Sequence, residues 1–104
     1  RRQRVYCAIL GFLPEGDRDL RSLVIGVEDD GELTFAGKVG SGLDVVTRAE
    51  LGRALRGALR PKPIIPCDLD ALWVEPGFYC AVDFLERTES GELRAPVFVE
   101  WMRG

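Results

Sequence analysis

The sequence predicts a mainly β domain, a five-stranded Greek-key barrel with one α-helix between strands three and four. Three observations predict it. Three apolar, β-forming runs separated by turn clusters fill residues 5–39. One amphipathic stretch of helical period follows and stops at Pro61. Two longer strand-like runs then occupy residues 78–88 and 93–102. Each strand has a single apolar face, so the sheet is expected to curl on itself, with the helix plugging one end.

The elements follow in order. Residues 5–13 (Val-Tyr-Cys-Ala-Ile-Leu-Gly-Phe-Leu) predict a first strand ending at the turn cluster Pro14-Glu15-Gly16-Asp17. Residues 22–28 predict a second strand, and Asp30-Gly31 supplies the positive φ of a tight hairpin. Residues 32–39 predict a third, with Leu33, Phe35 and Gly37 alternating against Thr34, Ala36 and Lys38. With Leu33 and Phe35 inward, Lys38 is expected to point outward. Thr47-Arg48-Ala49-Glu50 reads as a capping box. Leu51, Ala54, Leu55, Ala58 and Leu59 then form an apolar stripe at helical spacing, with Arg53, Arg56 and Arg60 on another face. Pro61-Lys62-Pro63 opens an extended loop, and residues 72–75 a short strand. The 78–88 and 93–102 runs flank the turn Glu89-Ser90-Gly91-Glu92, and Pro96 demotes the start of the last strand to an edge. This order is that of an OB-fold.

Composition narrows the function classes. A chain of 104 residues, 46% hydrophobic and 30% charged, is expected to be one folded domain. No apolar run approaches the roughly 20 residues that cross a membrane, and a cytoplasmic protein without membrane partners is expected. Arg1-Arg2-Gln3-Arg4 leads into Val5 without a methionine, as in a piece of a longer chain. There is no histidine, which removes Ser-His, Cys-His and His-metal mechanisms. Cys7, Cys67 and Cys80 are widely spaced, so three reduced, half-buried thiols are expected in place of a zinc site. The net charge is −3 and the pI about 5.0, a poor footprint for a domain that grips nucleic acid unaided. Acids gather at Glu28-Asp29-Asp30 with Glu32 and between Asp83 and Glu92. Bases gather at Arg48, Arg53, Arg56, Arg60 and Lys62. Asp83, Glu86 and Glu89 sit beside Arg87 and read as solvated charges, not as a metal site.

The rest of the chain is arranged around Gly37-Lys38-Val39-Gly40-Ser41-Gly42. Three glycines in six residues mark a backbone that bends, or one that something approaches closely. The spacing fits neither a P-loop nor a dinucleotide fingerprint. A strand end with a bulge, leading into a helix, is the simpler reading.

Four stretches carry a family likeness. Ile9-Leu10-Gly11-Phe12 resembles a first strand following a nucleotidyltransferase core, and Gly37-Lys38-Val39-Gly40-Ser41-Gly42-Leu43 with Asp44 resembles Gly-Lys-Val-Gly-Thr-Gly-Phe. Trp73-Val74-Glu75-Pro76 resembles the lead into the following strand, and Thr88 to Phe98 resembles Thr-x-x-Gly-x-Leu-Arg-x-Pro-x-Phe. In this order they resemble the C-terminal OB domain of ATP-dependent DNA ligases of the bacterial end-joining type. Two departures stand out. Glu100 and Met102 occupy positions where that family has basic residues, and no Asp-Lys follows. The nucleotidyltransferase part, with the lysine that becomes adenylated, is not in this sequence.

The resemblance implies an accessory domain that contacts duplex DNA around a nick, partnered by an adjoining nucleotidyltransferase domain. ATP and Mg²⁺ belong to that parent ligase, and this chain is expected to hold no cofactor, no metal and no catalytic residue. Lys38, Gly40, Ser41, Gly42 and Arg94 are the expected DNA-binding residues. Lys38 and Ser41 would meet phosphate where missing side chains let the backbone approach. Arg94 would reach the minor groove, or instead pair across strands with Glu86 or Glu92. Arg48 and Lys62 border the helix and could flank the duplex, but solvation is the expected role. Trp73 and Trp101 could stack on bases, but packing at the barrel rim is expected. A free-standing OB module for single strands and a protein-interaction barrel are the competing functions.

Overall fold

The computed structural model describes residues 1–104. Its strands are β1 (Gln3–Glu15), β2 (Asp19–Asp29), β3 (Glu32–Val39), β4 (Leu59–Arg60), β5 (Leu72–Val74), β6 (Phe78–Phe84), β7 (Glu86–Arg87), β8 (Leu93–Arg94) and β9 (Val97–Arg103), with a single helix, α1 (Val45–Arg56). The fold is therefore mainly β with one helix, and the sheet is OB-like. It is open, however, where a closed five-stranded barrel was expected. Seven strands form one sheet, and β7–β8 stand apart as a two-stranded hairpin. β1 is its centre, pairing antiparallel with β2 along one side and with β6 and then β5 along the other. β3 continues from β2, and β9 from β6. Between the chain after β3 and β9 runs one backbone hydrogen bond, from Phe98 N to Ser41 O at 2.7 Å.

The β2–β3 hairpin forms as its Asp-Gly pair dictates. Asp30 and Gly31 both take positive φ, 53° and 81°, the geometry that matches strand twist in a two-residue turn. Further along, simple alternation fails. The register slips between Ile25↔Gly37 and Gly26↔Phe35, leaving Ala36 as the extra residue of a bulge. The expected inward pair, Leu33 and Phe35, consequently packs on the outer side of the sheet against Leu10, Val24 and Trp73. Ala36 and Val39 enter the main core instead. Lys38 is exposed, as expected, but because the bulge moves it opposite Val24.

The main core holds Phe12, Leu23, Ile25, Val39, Val74, Val82 and Phe98, among others, and α1 adds Leu51 and Leu55. The helix differs from expectation at both ends. Its N-cap is Asp44, whose carboxylate accepts from Thr47 N at 2.8 Å, so the capping residue lies three positions earlier than the Thr47 box. It ends at Arg56 with Gly57 as C-cap. Leu59 leaves the apolar stripe, joins β4 opposite Val74, and is 46% exposed.

The two long C-terminal strands also break. Leu85 separates β6 from β7, while Ala95 (φ 53°) and Pro96 separate β8 from β9. Proline has no N–H for a ladder, so the segment 86–94 folds away as its own hairpin.

Residues 61–71 form a strap without regular structure. Its Ile65, Cys67, Leu69 and Ala71 cover the outer cluster of Leu10, Val24 and Trp73. No helix is long and apolar enough to cross a membrane.

Candidate nucleic-acid interface

The glycine stretch lies on a seam between β3 and the C-terminal strands. Gly42 has φ +91°, and a Cβ there would collide with Phe98 O and sit 2.9 Å from both Phe98 N and Val97 Cγ1. A Cβ on Gly40 would come within 3.1 Å of Arg21 O. Close approach of the chain's own backbone thus accounts for both glycines. Gly37, at φ +106°, has the Glu92 side chain over it, with Oε1 3.6 Å from the position of a Cβ. Loop 40–43 is therefore pressed against Val97 and Phe98 of β9, while the end of β3 at Gly37 lies under Glu92, next to β8. Lys38 and Ser41 are on one flank of this seam, and Arg94 belongs to the other.

Within the seam, the candidate side chains differ in what they already touch. Lys38 is exposed and enters none of the chain's ion pairs. Ser41 is exposed, and its carbonyl holds Phe98 N. Arg94 pairs across the hairpin with Glu86 at 3.3 Å, both side chains more than half exposed. Such a pair contributes about 0–1 kcal/mol, little enough for a phosphate to displace it. Lys62 is exposed at the start of the strap.

Arg48 is tied inward. Its guanidinium donates to Leu20 O (2.8 Å), Arg21 O (2.6 Å), Gly40 O (3.1 Å) and Leu43 O (3.2 Å). Four carbonyls from β2 and the glycine loop share one planar fork, which lysine could not supply. Arg48 thus fixes the loop carrying Ser41 onto β2 and α1. Arg56 does the same at the β1–β2 turn, donating to Gly16 O and Asp19 O with its guanidinium 5.3 Å from the Phe12 ring centroid. The sequence marked both arginines as surface charge, because their acceptors are main-chain carbonyls distant in sequence. Arg87 was missed as well. It grips Asp29 through two bonds of 3.0 and 3.2 Å, fastening hairpin β7–β8 to the β2–β3 hairpin.

Both tryptophans pack within the fold. Trp73 is 7% exposed in the outer cluster. Trp101 lies against the main core, its ring 6.4 Å from that of Phe78. Cys7 and Cys80 are fully buried, not half-buried, and Cys67 alone is partly exposed. The carboxylates do not gather into a metal site, since no three His, Cys, Asp or Glu side chains lie close enough to hold an ion. Asp83 instead pairs with Arg4 at 2.7 Å, and that hydrogen bond holds its carboxyl below the usual range.

Comparison with known proteins concerns the chain as a whole. Over 97% of its length the chain is similar to the ligase domain of M. tuberculosis LigD, with a TM-score of 0.86 and 27% identity, and it spans 35% of that chain. It is likewise similar to a mycobacterial DNA ligase D complexed with ATP and MES, with a TM-score of 0.80 and 26% identity over the same shares. The chain thus spans about a third of the length of these solved relatives. Comparison with curated proteins gives no match. Residues 16–103 match the family model described as the ATP dependent DNA ligase C terminal region, and the chain belongs to that family.

Proposed function

We propose that this chain is the accessory domain of an ATP-dependent DNA ligase, an OB-type module that contacts the backbone and minor groove of duplex DNA at a nick. An adjoining nucleotidyltransferase domain would supply ATP chemistry and its Mg²⁺. The observation that carries the reading is the seam. An unpaired Lys38 and an exposed Ser41 lie on the glycine stretch, and an exposed Arg94 two residues from the Glu92 that covers Gly37, within a fold of the ligase C-terminal family. Lys38 would neutralise one phosphate, and Ser41 would donate a hydrogen bond to another phosphate oxygen. Arg94 would exchange its solvated Glu86 pair for the groove. Lys62 is a candidate for the flank. Arg48 would set the loop's position without touching DNA.

The strap argues against the single-strand module. OB-folds of that kind use the face of strands two and three, with exposed aromatics as stacking platforms. Here residues 65–71 cover that face and Trp73 is buried beneath them.

The test is a titration of labelled chain with short nicked duplex, intact duplex and single strand, followed by NMR. Duplex is expected to shift resonances of residues 38–42 and 94, and Lys38→Ala to weaken binding. Preferential binding of single strand, unchanged by Lys38→Ala, would overturn the reading. Shifts confined to residues remote from the seam would overturn the residue assignments.

A further inference from the structure

We propose that Cys7 and Cys80 are an oxidation site, forming a reversible cross-strand disulfide when the chain meets a peroxide. The two residues stand directly opposite each other in the antiparallel β1–β6 ladder. Residues so paired have Cα atoms about 4.5–5.5 Å apart, inside the roughly 4.4–6.8 Å that a disulfide spans. Directly opposed residues project to the same face of a sheet, and both side chains enter the same core cluster, at 1% and 0% exposure, so the two thiols are neighbours shielded from solvent. Cys67 lies on the strap, away from this ladder, and has no facing thiol.

The chemistry suits the pair. Each thiol's acidity is set first by its hydrogen bond to the other, which holds Cys7 below the usual thiol range and pushes Cys80 above it. The thiolate is the reactive form; one of the two facing thiols attacks and the other resolves, and the steps balance alike whether the attacker is Cys80 or Cys7. If Cys7 attacks, its sulfur bonds one peroxide oxygen, the O–O bond breaks, two electrons pass from sulfur to oxygen, and the departing oxygen leaves as water after protonation. Cys7 is then a sulfenic acid. The Cys80 sulfur attacks it, the S–O bond breaks, the S–S bond forms, and the Cys80 proton leaves with the hydroxyl as a second water. The sum is two thiols and one hydrogen peroxide giving one disulfide and two waters.

Access comes from the end of the ladder. One pair beyond Cys7↔Cys80, at Ala8↔Tyr79, the β1–β6 pairing stops, and the Glu75–Gly77 connection follows. Peroxide is little larger than water, and it would reach the pair through local opening of this end of the β1–β6 ladder. Facing Cβ atoms in a sheet sit about 4.5–5.5 Å apart, whereas a disulfide holds them near 3.5–4.5 Å. The strands must pinch, and a strained bond is the more easily reduced.

The experiment is intact and peptide mass analysis of the native chain treated with hydrogen peroxide and then quenched. The expected product has lost two hydrogens, yields a peptide linking residues 7 and 80, and returns to its starting mass with dithiothreitol. Cys67→Ser should leave this product unchanged. Cys7→Ala and Cys80→Ala should each abolish it, and circular dichroism of each variant checks that the strands remain. Oxygen added only at Cys67, with Cys7 and Cys80 recovered as free thiols, would overturn the proposal. So would a linkage that appears only in urea, or one that includes Cys67 in the native chain.

Discussion

Two residues explain much of how the seam is held, and both can be tested alone. Arg48 serves four carbonyls with one guanidinium. A hydrogen bond to a charged donor contributes about 1.5–3 kcal/mol and a buried orphaned acceptor costs about 1–3 kcal/mol. These four carbonyls, however, are exposed or only part-buried, so water replaces much of the loss and the four do not add. Arg48→Ala should therefore destabilise the fold by on the order of 3 kcal/mol, read from urea midpoints. Arg48→Lys should recover little of it, because an ammonium cannot reach the same four acceptors. A loss within about 0.5 kcal/mol, as for an ordinary surface site, would mean the fork does not organise the loop. Asp44 is the second. The Thr47 amide, donating to its carboxylate, holds its pKa below the ordinary value. A carboxyl depressed on folding stabilises the native state above its unfolded pKa, and that contribution is lost as pH falls through the folded value. Asp44→Asn keeps a capping oxygen but removes the titration. Its stability should fall less steeply than that of the wild type below about pH 4; parallel acid limbs would count against the cap.

At the scale of elements, the turns and the first three strands were legible in the sequence, whereas the breaks were not. Asp30-Gly31 specifies its hairpin through local backbone preference, so no distant partner is needed. The bulge at Ala36 is different. It follows from how β2 and β3 fit the curved sheet, and a period-two reading cannot register one extra residue. The helix was read too long because Leu59 continues the spacing, although Gly57 already ends the turn. This difference yields a paired prediction. Leu55 is fully buried in the core, so Leu55→Ala should cost roughly 2–5 kcal/mol. Leu59 is 46% exposed on β4, so Leu59→Ala should stay within about 0.5 kcal/mol. Equal costs in urea denaturation would mean that the helix extends through residue 59. The seam contrasts two glycines in the same way. Gly31 and Gly42 both have positive φ, but only Gly42 is pressed against another strand, at Phe98. Gly31→Ala should show the strain alone, about 1 kcal/mol. Gly42→Ala should cost clearly more and disturb the Phe98 amide resonance.

For the whole molecule, charge decides how the seam can work. The family likeness was legible because four motifs keep their order along nearly the entire chain. The seam itself was legible only in part, because Arg48, Arg56 and Arg87 act through partners far away in sequence. Those tethers matter to binding. Several of the chain's positive charges are already committed: Arg4, Arg21, Arg60, Arg87 and Arg94 to carboxylates, and Arg48 to carbonyls. A net charge of −3 gives no long-range attraction to a polyanion. Binding of duplex by the isolated chain should therefore be weak, with Kd on the order of 10⁻⁴ M or higher at physiological salt. What remains is local. Each phosphate neutralised releases about 0.9 of a counterion, so the slope of log K against log salt counts the contacts. Lys38→Ala should lower affinity and reduce that slope by about one, for every duplex sequence alike, since a phosphate contact carries no base information. Arg48→Lys should also lower affinity, through a displaced loop, yet leave the slope where it is in the wild type. Arg94→Ala should reduce the slope or introduce a preference for narrow grooves. If Lys38→Ala left the slope unchanged while Arg48→Lys reduced it, the contact and the supporting residue would have to exchange places, and the phosphate path would run over β2 instead of along the glycine loop.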